Sequence, residues 1–287
     1  MRGIARRLTM GLPLPVLLIA AFAAWILTAT PPSGFPILEY HMVTEEPRPG
    51  AERYVVLPED FAAQLDYLTA EGYTTITPQE YARARKGKQQ LPEKPVILSF
   101  DDGYEDNHRV ILPMLEERGM KAVFYVVTND IGLPGYMTWD DLFDLERHGM
   151  EIGSHTANHI PLTTLPTEKQ REELHLSKLM LEWKGMKTIY SFSYPNGAYD
   201  DSIVAMLAEE DYLTAVTGEA GLNNTETNPY LLHRVNIPPP HFGLAEFRLR
   251  LMKADIAARL DVRMAELPPA LRDNLMQLRA KLRGDDL

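Results

Sequence analysis

The chain has 287 residues, 45% of them hydrophobic, a formal net charge of -11 and no cysteine. That length can bury a sizeable core, as one large α/β domain or two small ones. The negative balance and the lack of long Lys/Arg runs argue against a nucleic-acid partner, and without cysteine any metal must be held by His, Asp or Glu.

At the N-terminus, Arg2, Arg6 and Arg7 precede an apolar run from Leu12 to Leu27, interrupted by Pro13 and Pro15. This layout predicts a secretory signal or an N-terminal membrane anchor over residues 1–30, and so an extracytoplasmic location. The run is of intermediate length, and the anchor is favoured because Leu27-Thr28-Ala29-Thr30-Pro31 makes a poor small-residue cleavage site.

Residues 31–92 read as a linker followed by an N-terminal strand and helices. Phe35 to Tyr40 is an apolar strand leading into Tyr40-His41. Asp60 is expected to cap a helix carrying Phe61, Leu65 and Leu68 on one face, with Gly72 ending it. Pro78 opens a short helix, and Lys86 to Gln90 is a polar loop.

From Pro95 strands and helices alternate. Val96–Phe100 is a continuous apolar strand, and Val110, Ile111, Met114 and Leu115 form a helical stripe that Gly119 ends and Pro113 disturbs. Ala122–Val127 is a second strand, Thr138 caps a helix to about Arg147, and Met150–Ser154 is a third strand. Thr167 with Gln170 predicts a capping box, and the helix behind it carries a stripe at Leu176, Leu179, Met180 and Trp183. Ser191–Tyr194, a helix with Ile203, Met206 and Leu207, then Tyr212–Thr217 and Leu231–Ile237 close the series. Such alternation implies parallel strands covered by helices, in a barrel or an open sheet, with the barrel preferred. Leu244–Leu260 and Pro268–Leu282 are expected as surface helices.

Two short runs at strand ends carry chemistry. Ser99-Phe100-Asp101-Asp102-Gly103 sets two carboxylates side by side, and His155-Thr156-Ala157-Asn158-His159 sets two imidazoles four residues apart. Asp-Asp-Gly alone is also a common turn, and the His pair could lie on a helical turn or, with Pro161 nearby, in a loop. Taken together, an Asp with two His suits zinc or a neighbouring first-row divalent metal and leaves positions open for water and substrate. The other Asp is then a candidate base.

The order Ser-Phe-Asp-Asp-Gly, His-Thr-x-x-His and Tyr194-Pro195-Asn196-Gly197 resembles the NodB-homology polysaccharide deacetylases, carbohydrate esterase family four, from Pro95 to Ile237. The resemblance implies an α/β fold, a distorted (β/α) barrel that removes N- or O-acetyl groups from a glycan. It implies Asp101 as base and Asp102, His155 and His159 as ligands of a divalent metal: zinc, with nickel, cobalt or iron as alternatives. The third motif departs from the family, since Ser193 and Asn196 stand where an Arg and an aromatic residue are usual. Biofilm deacetylases of the poly-N-acetylglucosamine type also lack this Arg, and the chain looks closer to them. Arg234, on the last expected strand, could supply the charge instead, or could be an ordinary surface arginine.

For the general acid, Tyr40-His41 resembles the Tyr-His motif of that branch, and His41 is preferred to His233. Alternate strand residues face opposite ways, so His233 and Arg234 should not both enter the site. The backbone N–H of Asn196 would help hold the oxyanion. The expected substrate is an acetylated polysaccharide such as an N-acetylglucosamine polymer, with the membrane as a further partner through the N-terminal segment. A deacylase of a lipid-linked sugar or small amide, or a glycan-binding barrel without turnover, are the alternatives. The domain reading is 1–30 signal or anchor, 31–92 linker and N-terminal elements, 93–250 catalytic domain and 251–287 helical tail.

Overall fold

The computed structural model describes residues 14–29, 34–47, 50–272 and 274. Ten strands follow in chain order: β1 (Ile37–Tyr40), β2 (Met42–Val43), β3 (Val55–Val56), β4 (Thr74–Thr75), β5 (Pro95–Phe100), β6 (Val123–Val126), β7 (Glu151–Ser154), β8 (Ser191–Ser193), β9 (Thr214–Ala220) and β10 (Leu232–Asn236). The main sheet runs β1-β10-β9-β8-β7-β6-β5, and β5 pairs back onto β1 from Ile37–Ile97 to Tyr40–Phe100. Seven parallel strands therefore close a barrel, which leaves no free edge among them. β4 pairs only with the start of β5, and β2 with β3 form a separate ribbon.

Closure explains the sequence pattern. With both faces covered, a strand has no wet side, and Val96–Leu98 and Val123–Val126 are accordingly buried throughout. The barrel is distorted because β9 and β10 are joined by residues 221–231, which contain no helix. Phe61, Leu65 and Leu68 pack on it from the helix Pro58–Ala70, as do Leu142 and Leu145 from Trp139–Arg147 and Ile203 and Leu207 from Asp201–Glu209.

Local signals held at several ends and failed at others. Thr77 and Thr138 each make a full capping box, with Glu80 and Asp141. Asp60 lies inside the first turn of its helix, which starts at Pro58 because the fixed proline φ suits the first helical position. The expected Thr167–Gln170 box does not form. Thr167 is already helical behind Pro166, and the Gln170 amide donates to the carbonyls of Leu162 and Leu165 at 3.1 Å. Before Pro113 the backbone widens into a π-turn over Asn107–Ile111, a local irregularity that suits a residue unable to donate an N–H.

The stripe on the helix Thr167–Trp183 also takes an unexpected direction. Its buried face is Gln170, Glu173, Leu174, Ser177, Lys178 and Leu181, whereas Leu176, Leu179 and Trp183 are exposed.

Ser33–Ala254 make up the larger of two compact units, and the described parts of Met1–Pro32 and Asp255–Leu287 make up the smaller. In the smaller unit, the helix Leu14–Leu27 ends under arginines: Arg259 Nη1 donates to the Ala29 carbonyl at 3.0 Å and Arg263 Nε to that of Trp25 at 2.9 Å. The expectation of a membrane anchor is overturned here. No described helix is long and apolar enough to cross a membrane. The surface helix expected from Leu244 runs to Ala265, and most of the expected Pro268–Leu282 helix lies outside the described residues.

Candidate active site

The barrel strands deliver their carboxyl ends to one cavity of about 510 Å³, whose lining includes Asp101, Asp102, His155, His159, His41 and Arg234. Asp101 and Asp102 follow β5, His155 follows β7, and Asn196 follows β8. Asp102, Thr156, His159 and Asn196 all have positive φ, between 55° and 74°, in a chain where one other described non-glycine residue, Asp211, does. Such conformations are costly and persist where surrounding contacts hold them, and here they gather around one cavity.

The candidate metal-ligating atoms converge. His155 Nε2 lies 3.5 Å and His159 Nε2 3.4 Å from Asp102 Oδ1. Donor atoms around a tetrahedral ion with bonds of about 2.0–2.1 Å sit about 3.3 Å apart, so the triad fits a divalent metal. The tautomer is set as well. His155 Nδ1–H donates to the Ser193 carbonyl at 2.7 Å, which leaves the Nε2 lone pair available to a metal. Burial pushes the His155 pKa down, against the opposing pull of Asp101 and Asp102, and so favours the neutral, ligating form.

The two histidines belong to a loop and not to a helical turn. Glu173, buried on the helix Thr167–Trp183, accepts from the backbone N–H groups of Ala157 and Asn158 at 2.9 Å each. Thr156 Oγ1 accepts from the His159 N–H at 3.0 Å. Glu173 went unnoticed in the sequence because a helical glutamate looks like an ordinary surface residue.

Beside the triad stands a second cluster, Glu39, His41 and Asp101, whose donor atoms also lie within 4.8 Å of one another. Its cation is already present. Arg234, only 2% exposed, bonds both carboxylate oxygens of Asp101 through Nη1 at 2.8 and 2.9 Å. Nη2 reaches Glu39 at 3.1 Å, and Nε donates to the Thr217 carbonyl at 2.9 Å. Arg234 is therefore no surface residue. Ser193, at the position of the absent motif arginine, donates its hydroxyl to Asp101 Oδ2 at 3.1 Å. Burial alone would raise the Asp101 pKa, but Arg234, His155 and His41 outweigh it and hold the carboxyl at about 2.

His41 enters the same cavity, its ring against Tyr54 at 4.9 Å between centroids. The turn after Asp102 holds the chain around it: Asn107 donates to the His41 carbonyl at 2.9 Å, and Asp106 accepts from the Val43 N–H at 2.6 Å. Burial pushes the Asp106 pKa up to about 6 despite that hydrogen bond. His233 is not among the residues lining the cavity and lies 3.8 Å from Glu219. Asn196 lines the wall, and next to it Gly197 passes so close to Gly218 that a Cβ would meet its nitrogen at 2.6 Å.

A larger groove of about 910 Å³ runs behind the metal loop, lined by Trp139, Ile160, Leu176, Leu179 and Trp183 among others. Its volume exceeds that of the catalytic cavity, but among the described residues the metal-ligand clusters lie elsewhere.

A parallel barrel that offers an Asp/His/His metal set and a buried carboxylate–guanidinium pair at one mouth defines a metal-dependent hydrolase. Residues 88–215 match the polysaccharide deacetylase family. YxkH of Bacillus subtilis (strain 168), a polysaccharide deacetylase by name, is 31% identical over 223 residues, 78% of each chain. The poly-β-1,6-N-acetyl-D-glucosamine N-deacetylase of Escherichia coli (strain K12) is 29% identical over 147 residues, which are 45% of this chain and 21% of that one. Among solved structures, the deacetylase PplD of Streptococcus pyogenes, in complex with acetate, superposes with a TM-score of 0.69 and 27% identity, over 79% of this chain and 99% of that one. The chain belongs to the polysaccharide deacetylase family, and with its metal-binding cluster it is a metal-dependent deacetylase acting on a polysaccharide.

Proposed function

We propose that the enzyme removes N-acetyl groups from an N-acetylglucosamine polymer outside the cytoplasm, with zinc held by Asp102, His155 and His159. The observation that carries this reading is the buried Asp101–Arg234 pair beside the metal triad, since it gives a carboxylate held ionised next to His155. Kinship with the E. coli poly-N-acetylglucosamine deacetylase supports the polymer, and so does the absence of the motif arginine at Ser193.

A divalent ion supplies Lewis acidity towards the acetyl carbonyl and a water acidified towards neutral pH. Asp101, fixed by Arg234 and Ser193, takes the proton of the attacking water. The backbone N–H of Asn196 donates to the developing oxyanion. His41 gives a proton to the departing sugar amine. Tyr104 and Tyr136, stacked at 5.3 Å between centroids on the cavity wall, offer flat faces to sugar rings.

A second reading, a lipid-linked saccharide as substrate, is favoured by the apolar groove behind the metal loop. One experiment separates the two. Acetate release is measured from poly-N-acetylglucosamine, chitin oligomers, peptidoglycan and a lipid-linked N-acetylglucosamine, with and without chelator. Release from the first, abolished by chelator, is expected; release only from the lipid-linked sugar would select the second reading.

A further inference from the structure

We propose that Glu39 is a positioning residue for the catalytic base, acting through Arg234. The proposal rests on the reading of Asp101 as base, and it starts from the backbone. On β1, Leu38 and Tyr40 are buried in the core, so Glu39 takes the opposite face of the strand. β1 lies between β5, which ends just before Asp101, and β10, which carries Arg234, and it pairs Glu39 with Ser99 and with Asn236. Three neighbouring strands thus present Asp101, Glu39 and Arg234 to one point.

The guanidinium is held on all sides. Nε bonds the Thr217 carbonyl at 2.9 Å, Nη1 bonds both Asp101 oxygens, and Nη2 bonds Glu39 at 3.1 Å. Among the described residues, the Ser193 hydroxyl is the other side-chain hydrogen bond of Asp101, so its orientation depends on where Nη1 points. Glu39 anchors the far end of the planar fork and so stops the guanidinium from turning about Nε. An acidic side chain in this place has no packing value that an apolar residue would not supply better, since a buried ion pair is often no more stable than a hydrophobic replacement. Its contribution lies in geometry.

The test uses two substrates. p-Nitrophenyl acetate has a leaving group that needs no proton and therefore reports on the base and metal alone, whereas an N-acetylglucosamine oligomer also needs the acid. Glu39→Ala should lower kcat about 100-fold on both, the size of effect expected from misplacing a catalytic group by about 1 Å. KM and bound metal should stay at wild-type values. Glu39→Gln, which keeps an acceptor oxygen at the same reach, should restore kcat to within about tenfold of wild type. Glu39→Ala added to Arg234→Ala should cost nothing further, because residues acting through one partner are not additive.

Equal kcat for Glu39→Ala and wild type on the ester would overturn the proposal, as would a full additional loss in the Arg234→Ala background. A loss confined to the glycan would also overturn it, by moving the role of Glu39 to the acid. Wild-type turnover of the ester with no acetate from any glycan would instead refute the proposed substrate, and leaves the ester comparison valid.

Discussion

The two halves of the site are built in different ways. The metal half is local: Asp102 sits on one turn after β5, and His155 and His159 share a five-residue loop braced by Glu173 and Thr156. The proposed acid–base half is assembled from distant segments, with Glu39 and His41 from the first barrel strand and its end, Asp101 from the end of β5, Ser193 from β8 and Arg234 from the last strand. Local construction preserves a motif in the sequence, whereas assembly across strands lets the same charge arrive from another place.

The largest expected effect lies in the metal half. Asp102→Ala should lose bound metal and reduce acetate release to background, measured by metal analysis and turnover on the same sample; full turnover would remove Asp102 from the metal site. In the other half, Asp101→Asn should keep its metal and lose about 10²–10⁴ in kcat. Retained activity would show that the base lies elsewhere.

His41→Ala should slow amide hydrolysis about 10²-fold and leave p-nitrophenyl acetate turnover near wild type, while His233→Ala should change neither. The reverse pattern would transfer the acid role to His233.

A smaller effect concerns the support beneath His41. The Asp106 pKa is raised to about 6 from 3.8, so its protonated form is the one the fold favours. Its contribution to stability is complete below pH 4 and lost as pH rises through 6, about 3 kcal/mol in all. Asp106→Asn, which can still accept from the Val43 N–H, should lack this decline when chemical denaturation is compared between pH 4 and 7. Parallel curves for the two proteins would contradict the burial argument.

The contrast also explains what could be read in advance. Continuous apolar strands such as Val96–Phe100 survive as patterns because both barrel faces are covered, and the Asp/His triad survives because its spacing is short. Glu39 was hidden inside an apolar run, and nothing in its neighbours tells of a partner on β10. Arg234 could be named but not placed, since a buried and a surface arginine look alike in a strand until the register is known. The helix Thr167–Trp183 misled for the opposite reason: its apolar stripe lines an open groove, while its polar Glu173 faces inward to hold the metal loop. The two-residue strands β2 to β4 are too short to leave a period.

The measurement that bears most directly on this division is metal affinity and kcat of Arg234→Lys, determined side by side. Lysine keeps a buried positive charge and loses the planar group that reaches Asp101, Glu39 and the Thr217 carbonyl together. Metal affinity within about threefold of wild type, with kcat lower by about 10²-fold, is the predicted result. Metal affinity falling in step with kcat, or kcat left unchanged, would contradict an acid–base half that is built separately from the metal half.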